Sequence, residues 1–160
     1  MKSFIVVFSY HHNNTRKVAE VFAKVLDAEI KSPQQTIPEE LEQYDLVGFG
    51  SGIDSGKHYA ELLDFADKLP QVTDKKAFIF STSGMPVGLA GGGRLEEYTH
   101  KCHTTLREKL QSKGYIVVDE FSCPGFNTNK FLKWFGGINK GRPNDEDLKE
   151  AEEFASKMKV

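Results

Sequence analysis

The sequence predicts an α/β protein whose core is a doubly wound parallel sheet with helices packed on both faces. Short apolar, β-branched runs alternate along the chain with segments of helical periodicity, which is the pattern of βαβ units. The apolar runs are continuous rather than alternating, as in strands that are buried on both faces. The 160 residues suit a single domain spanning residues 1–160, and a hydrophobic content of 39% is enough for its core.

The first quarter of the chain predicts a strand, a loop and a helix. Residues 4–8 form a continuous apolar run, and the residues that follow, 9–15, are polar. Apolar side chains then recur at helical spacing between Val18 and Leu26, which predicts an amphipathic helix. A short strand over residues 28–31 precedes a proline-rich stretch.

The middle of the chain repeats this pattern twice. The predicted elements are a strand over residues 45–50, a loop over 51–56, a helix over 59–68, a strand over 77–80, a glycine-rich loop over 81–93 and a helix over 95–113. Gly114 follows the last of these helices directly, where glycine favours the left-handed conformation that ends helices.

The last part of the chain predicts a fifth strand over residues 115–118 and a final helix over residues 145–158. Asp145, Glu146 and Asp147 favour the positive N-terminal end of that helix. The segment between them is the least regular, and it contains Trp134 and Phe135, which either pack over the sheet edge or form a patch for a partner.

Composition excludes several classes of function. A net charge of −2 provides no basic footprint for nucleic acid and no polybasic cluster for anionic membranes. The N-terminal apolar run, about five residues, is too short for a signal peptide or a membrane span, which favours the cytoplasm. Cys102 and Cys123 have no CxxC neighbour, so we expect reduced structural thiols. We expect no metal site, because the adjacent His11 and His12 point in different directions and lack a third ligand.

Ligands of open parallel sheets bind beyond the carboxyl ends of the strands. In this sequence those ends are rich in Ser, Thr, Asn and Gly, and they comprise residues 9–15, 51–56, 81–93 and 123–128. In the first loop Ser9, Asn14 and Thr15 supply donors beside a helix start, which can hold an anion. The alternative is that these side chains only cap the helix. The patterns GxxxxGK[ST] and GxGxxG are both absent, which argues against a P-loop and a dinucleotide site.

The first strand and loop also resemble a known signature. Val6-Val7-Phe8, followed by Thr15 and then by Ala19 four residues later, resembles the FMN-phosphate signature of the flavodoxin family. Residues 50–53 resemble the second FMN loop of that family, and residues 81–84 resemble the third. The C-terminal end of a small-flavodoxin subgroup is resembled by residues 136–137 and 141–144. The resemblance covers essentially the whole chain. It implies three layers and a five-stranded parallel sheet of order 2-1-3-4-5.

The resemblance also implies a set of cofactor-binding residues. The residues expected around the FMN phosphate, several of them through backbone N–H groups, are Ser9, His11, Asn13, Asn14 and Thr15. The residues expected beside the flavin ring are Ser51, Gly52, Ile53, Asp54, Ser55, Ser81, Thr82, Ser83, Gly84 and Met85. Tyr10 departs from the signature, which has Ser or Thr there. Neither ring loop contains a Trp, and Tyr59 and Tyr98 lie at or beyond the loop edges, which leaves a ring face open to a substrate or partner.

This resemblance implies an FMN protein of electron transport that shuttles electrons between redox protein partners. The alternative is an FMN-dependent oxidoreductase acting on a quinone or, by family analogy, on protoporphyrinogen, and a third possibility is a binding module that has lost the cofactor. We expect no separate catalytic side chain, because the flavin supplies the redox chemistry. Arg94 either reaches the ring from a glycine-rich loop or is a solvated charge.

Overall fold

The chain folds into one sheet covered by helices. The computed structural model describes residues 1–10, 12–84, 93–126, 137 and 139–159. The strands within these residues are β1 (Ser3–Phe8), β2 (Glu29–Lys31), β3 (Leu46–Asp54), β4 (Lys57–His58), β5 (Lys75–Ser83) and β6 (Tyr115–Pro124). The α-helices are α1 (Asn14–Leu26), α2 (Ala60–Asp67), α3 (Arg94–Ser112) and α4 (Asp145–Lys157). The proline-rich stretch forms short 3-10 helices at Pro33–Gln35 and Pro38–Gln43.

The sheet order confirms the predicted fold. Five strands pair in parallel in the order β2-β1-β3-β5-β6, which is the expected order 2-1-3-4-5 of the predicted strands. β4 was not predicted, and it pairs antiparallel with the end of β3 to form a small hairpin. Because only two residue pairs form this hairpin, it leaves no periodic signal in the sequence.

Each face of the sheet carries its own hydrophobic core. Phe4 and Val6 of β1 lie in the core that α2 and α3 cover, whereas Ile5 and Val7 lie in the core beneath α1 and α4. Successive strand residues point to opposite faces, so a strand covered on both sides needs an unbroken apolar run. Phe22 of α1 anchors the second core, where it contacts the rings of Phe78, Phe80, Phe121 and Phe154.

The predicted ends of three strands were too early. β3 continues to Asp54, β5 to Ser83 and β6 to Pro124, so the expected loops begin within the sheet. Backbone pairing continues through Ser51↔Ser81 and Ser81↔Ser122, because parallel hydrogen bonding depends on the backbone and not on side-chain polarity. The polar strand ends therefore alternate between the two faces of the sheet.

The helix ends agree with the predicted signals. Gly114 follows α3 with φ of +91°, as its predicted cap position requires, and a Cβ there would collide with the carbonyl oxygen of Val72. At the start of α4, the Asn144 side chain accepts a hydrogen bond from the Asp147 N–H, and Asp147 accepts one from the Asn144 N–H. Among the helices described, none combines the length and apolarity needed to cross a membrane.

Candidate functional site

A cleft opens at the carboxyl ends of β1, β3, β5 and β6. The side chains and backbone that line it share one property, which is that none of them carries a charge. They are Tyr10, Asn14, Thr15, Gly52, Ile53, Tyr59, Thr82, Ser83, Gly84, Gly125 and Phe126. This is the position at which open α/β sheets bind their ligands.

Helix α1 points its N-terminus toward this edge of the sheet. Its N-cap residue, Asn13, has φ of 53° and makes no side-chain capping bond, and the first turn contains no acidic residue. Ser9 contributes a partial cap, because its Oγ accepts a hydrogen bond from the Arg16 N–H at 3.3 Å. The partial positive charge of the helix end is therefore not neutralised by a carboxylate of its own first turn.

Hydrogen bonds hold the walls of the cleft together. The Oγ1 atoms of Thr15 and Thr82 lie 2.8 Å apart and join α1 to β5. The Nδ2 group of Asn14 donates to the Phe126 carbonyl at 2.8 Å, which ties α1 to the chain after β6. Gly125 allows this approach, since a Cβ on it would lie 2.8 Å from Asn14 Nδ2 and 3.2 Å from Thr82 Cβ. These contacts keep the walls in place without a ligand.

Two buried polar atoms of the cleft lack a hydrogen-bond partner within the described residues. They are Oδ1 of Asn14 and Oγ of Ser83, on side chains that are 6% and 2% exposed. A buried polar atom without a partner costs about 1–3 kcal/mol, so these two atoms would gain from a ligand in the cleft. Asn14 Oδ1 requires a donor, whereas the Ser83 hydroxyl can donate or accept.

Aromatic rings form the rim of the cleft. The ring of Tyr59 lies 5.6 Å from Phe8 and 6.2 Å from Tyr10, whose side chain is 69% exposed. On the opposite rim, the rings of His12 and Phe126 are 4.4 Å apart. Tyr59 thus lies on the cleft itself, and Phe126, which belongs to the predicted strand end 123–128, adds a second aromatic residue.

A buried polar cluster lies behind the cleft, on the side of the sheet that faces α3. The Oγ of Ser81 is 2.7 Å from Nε2 of His103, and Nδ1 of His103 is 2.9 Å from Oε2 of Glu120. Arg107 donates to both oxygens of Glu120, at 2.5 and 2.9 Å. Burial opposes ionisation of Glu120, but the hydrogen bonds from His103 and Arg107 outweigh it and lower its pKa to about 2. We refer to Ser81, His103, Glu120 and Arg107 as the His103 cluster.

A second histidine stacks on this cluster. The rings of His58 and His103 are 4.9 Å apart, and Nδ1 of His58 is 2.9 Å from the Oγ of Ser51. Burial, followed by the neighbouring His103, lowers the pKa of His58 well below its usual value. Burial also lowers the pKa of His103, although Glu120 opposes that effect. Both imidazoles are therefore neutral near neutral pH.

The structure brings together about half of the predicted cofactor-binding residues. Those that line the cleft are Asn14, Thr15, Gly52, Ile53, Thr82, Ser83 and Gly84. Two others, Ser51 and Ser81, are buried behind the cleft. Ser9 and Asn13 line a separate groove beside α1. Asp54 and Ser55 are exposed at the hairpin turn. His11 and Met85 lie outside the described residues, as do Trp134 and Phe135.

The two cysteines, Arg94 and Arg107 do not line the cleft. Cys102 and Cys123 are both buried, free thiols, and burial raises the pKa of each. Arg94 is exposed at the first residue of α3, and Arg107 belongs to the His103 cluster. The sequence analysis missed His58, His103 and Glu120, because the contacts that join them are distant in sequence. The available signal was a histidine at position 103, next to the buried Cys102 on the apolar side of α3.

Comparisons with known proteins agree with this architecture. A family described as Flavodoxin domain matches residues 5–156 of the chain. An uncharacterised protein of Methanocaldococcus jannaschii is 45% identical over 158 residues, which cover 99% of this chain and 98% of that protein.

Solved structures show the same fold. Oxidised flavodoxin 2 of Bacillus cereus superposes with a TM-score of 0.68 at 20% identity, over 97% of this chain and 95% of that one. A Fusobacterium nucleatum flavodoxin bound to flavin mononucleotide superposes with a TM-score of 0.64 at 12% identity, over 99% of this chain and 98% of that one. At these identities the likeness concerns the fold.

Proposed function

The chain belongs to the flavodoxin domain family, and on that premise we propose that it binds FMN in the cleft and carries electrons between redox protein partners. The observation that carries the proposal is the pair of buried polar atoms, Asn14 Oδ1 and Ser83 Oγ, left without partners at the strand ends.

The chemistry of these atoms fits the cofactor. FMN combines a dianionic phosphate, a chain of hydroxyl groups and a flat ring whose edge both donates and accepts hydrogen bonds. A phosphate dianion offers acceptors alone, so it cannot satisfy the acceptor Asn14 Oδ1. A ribityl hydroxyl or the ring N–H can. Ser83, which is able to donate as well as accept, suits a polar ring edge.

The N-terminus of α1 supplies the anion-binding element. Its first-turn N–H groups and the helix dipole attract a phosphate, and no acidic side chain of that turn opposes them. Asn13 holds the left-handed backbone conformation that turns these groups outward. We therefore assign the phosphate to the backbone N–H groups of residues 13–15, together with the Ser9 hydroxyl, which accepts from the Arg16 N–H and can still donate its own hydrogen.

The surroundings of the cleft favour electron transfer. The flavin supplies the redox chemistry when bound, and the protein positions it and controls what reaches it. Among the described lining residues no acid, base or cation is present to bind and activate a substrate. The exposed Tyr10 and the neighbouring Tyr59 instead form an aromatic rim against which a partner protein can pack. Two buried, free cysteines fit a reducing compartment such as the cytoplasm.

Flavin titration of the apoprotein tests cofactor binding. We expect FMN fluorescence to be quenched at micromolar protein, and Ser83→Ala to weaken binding about threefold to tenfold, the effect of one hydrogen bond. Ser156→Ala, which removes an exposed serine of α4, is the matched control and leaves affinity unchanged. Unquenched FMN with the unaltered protein contradicts the proposal.

Anaerobic reduction followed by rapid mixing tests the role as a carrier. The reduced holoprotein is expected to pass electrons to a one-electron acceptor such as a ferric haem protein much faster than to a quinone. Tyr10→Ser is expected to slow transfer to the protein acceptor more than transfer to a quinone, and the FMN affinity of the same variant shows how much of the effect comes from the cofactor site. Steady turnover with NAD(P)H and a quinone, without any protein acceptor, identifies the oxidoreductase alternative instead.

A further inference from the structure

We propose that His103 is a proton-binding site coupled to the cofactor in the cleft, and that it takes up a proton from water when the cofactor gains an electron. This inference rests on the proposed function. It concerns residues that lie behind the cleft and that do not line it.

The hydrogen bonds of His103 are complete in either protonation state. In the neutral imidazole, Nδ1–H donates to Glu120 and Nε2 accepts from the Ser81 hydroxyl at 2.7 Å. In the imidazolium, Nε2–H donates to Ser81 instead. The Ser81 O–H then donates to Ser122 Oγ, in the direction that the structure shows at 3.1 Å. A rotating hydroxyl with two acceptors lets the ring change charge without leaving a buried polar group unpaired.

His58 lacks this property, although it is equally buried. The Ser51 hydroxyl donates its one hydrogen to the Gly52 carbonyl at 2.7 Å, so Nδ1 of His58 must be the donor to Ser51. Nε2 of His58 has no partner within the described residues. A second proton on His58 would create a buried, unpaired N–H group, and the proton therefore binds His103.

The charges around His103 come from each element packed on it. β6 contributes Glu120, α3 contributes Arg107 and His100, and β4 contributes the neutral His58. Asp67 of α2 pairs with Lys109 further along α3. Because Arg107 neutralises Glu120, the pair offsets only part of the burial that lowers the pKa of His103.

The cluster is close enough to the cleft to respond to its charge. Ser81 directly precedes Thr82 and Ser83, which line the cleft, and a strand rises about 3.3 Å per residue. Charges about 10 Å apart at an effective dielectric constant of about 20 shift each other's pKa by about one pH unit. In this step one electron passes from a reductant to the cofactor, and one proton passes from bulk water to Nε2 of His103.

Histidine NMR of the FMN-loaded protein tests this inference in two redox states. We expect the pKa of His103 to be about one pH unit higher after anaerobic reduction with dithionite than in the oxidised protein. Ser122→Ala removes the second acceptor and is expected to lower the pKa of His103 in the reduced protein.

The midpoint potential provides a second readout. We compare the unaltered protein with His103→Gln across the pH range in which His103 titrates. The equilibrium constant for one-electron reduction of the cofactor is expected to differ about tenfold between them, which corresponds to about 59 mV in the midpoint potential. Ser156→Ala, which changes an exposed serine of α4, is the control and follows the unaltered protein. Equal His103 pKa values in both redox states overturn the inference while FMN binding stands. Failure to bind FMN at all appears in the initial titration, and it overturns the proposed function together with this inference.

Discussion

The cleft and the His103 cluster are built from the same strand ends, but they differ in how their polar groups are satisfied. In the cleft, Asn14 and Ser83 each retain a buried atom without a partner. In the cluster, Glu120 accepts from both His103 and Arg107, and Ser81 lies within hydrogen-bonding distance of two partners. The contrast distinguishes a surface with unpaired polar atoms from a cluster whose polar groups pair with one another.

Strand alternation produces this contrast. Ser81 and Thr82 are neighbours on β5, yet Ser81 contacts His103 of α3 and Thr82 contacts Thr15 of α1. Ser51 and Gly52 divide in the same way on β3, since Ser51 is buried against His58 whereas Gly52 lines the cleft. One run of small polar residues therefore serves two regions.

The largest expected effect comes from removing the carboxylate of the cluster. Glu120→Ala leaves the Arg107 guanidinium and Nδ1 of His103 without their acceptor, so we expect the free energy of unfolding to fall by about 3 kcal/mol. Urea unfolding measures the loss. Glu20→Ala breaks the exposed Arg16–Glu20 pair and is the control, with a loss below about 1 kcal/mol. Equal losses in the two variants would contradict the distinction between cluster and surface.

Acid is expected to destabilise the protein in two stages. Below the usual pKa of 6.5 the unfolded chain binds a proton at His58, while the folded chain, in which that pKa is lowered, does not. Unfolding therefore takes up protons, and stability falls as the pH drops below about 6.5. The free energy of unfolding falls a second time, on the order of 2 kcal/mol, between pH 4.5 and about 2. The reason is that Glu120 binds a proton at a higher pH in the unfolded chain than in the folded one.

Urea unfolding from about pH 7.5 down to about pH 2 measures both stages. Glu120→Gln is expected to remove much of the lower stage and to leave the upper one, because the amide no longer titrates. A stability that rises as the pH falls below 6.5 would contradict the burial of neutral His58.

A smaller effect is expected from narrowing the cleft. In Gly125→Ala the new Cβ would meet Asn14 Nδ2 and Thr82 Cβ, which forces apart the contact between α1 and β5. We expect FMN affinity to fall about tenfold, or about 1.4 kcal/mol. Flavin titration and the unfolding midpoint, measured on the same variant, separate lost binding from lost folding. Unchanged affinity would place the flavin away from this wall.

The fold was predictable because its signals are local and periodic. The unbroken apolar run of β1 indicated a strand covered on both faces, and the acidic residues after Asn144 indicated the start of α4. The site was predictable only as a set of strand ends. Whether a strand-end residue faces the cleft depends on the exact strand end, and Ser51 and Ser81 lie behind the cleft because the strands run further than expected.

The His103 cluster could not be predicted in this way. Ser81, His103 and Glu120 are separated by 22 and 17 residues, and no short motif relates them. Their meeting depends on α3 packing across β5 and β6, which is a property of the whole fold. Periodicity could have marked position 103 as buried, but it contains no information about the partner of that side chain.

A crystal structure of the FMN complex tests the central claim most directly. We predict flavin density in the cleft between Tyr59 and Phe126, with hydrogen bonds from the ligand to Asn14 Oδ1 and with Ser83 Oγ, which are now unpartnered within the described residues. FMN bound at another surface, or bound in the cleft with both atoms still unpaired, would contradict the account.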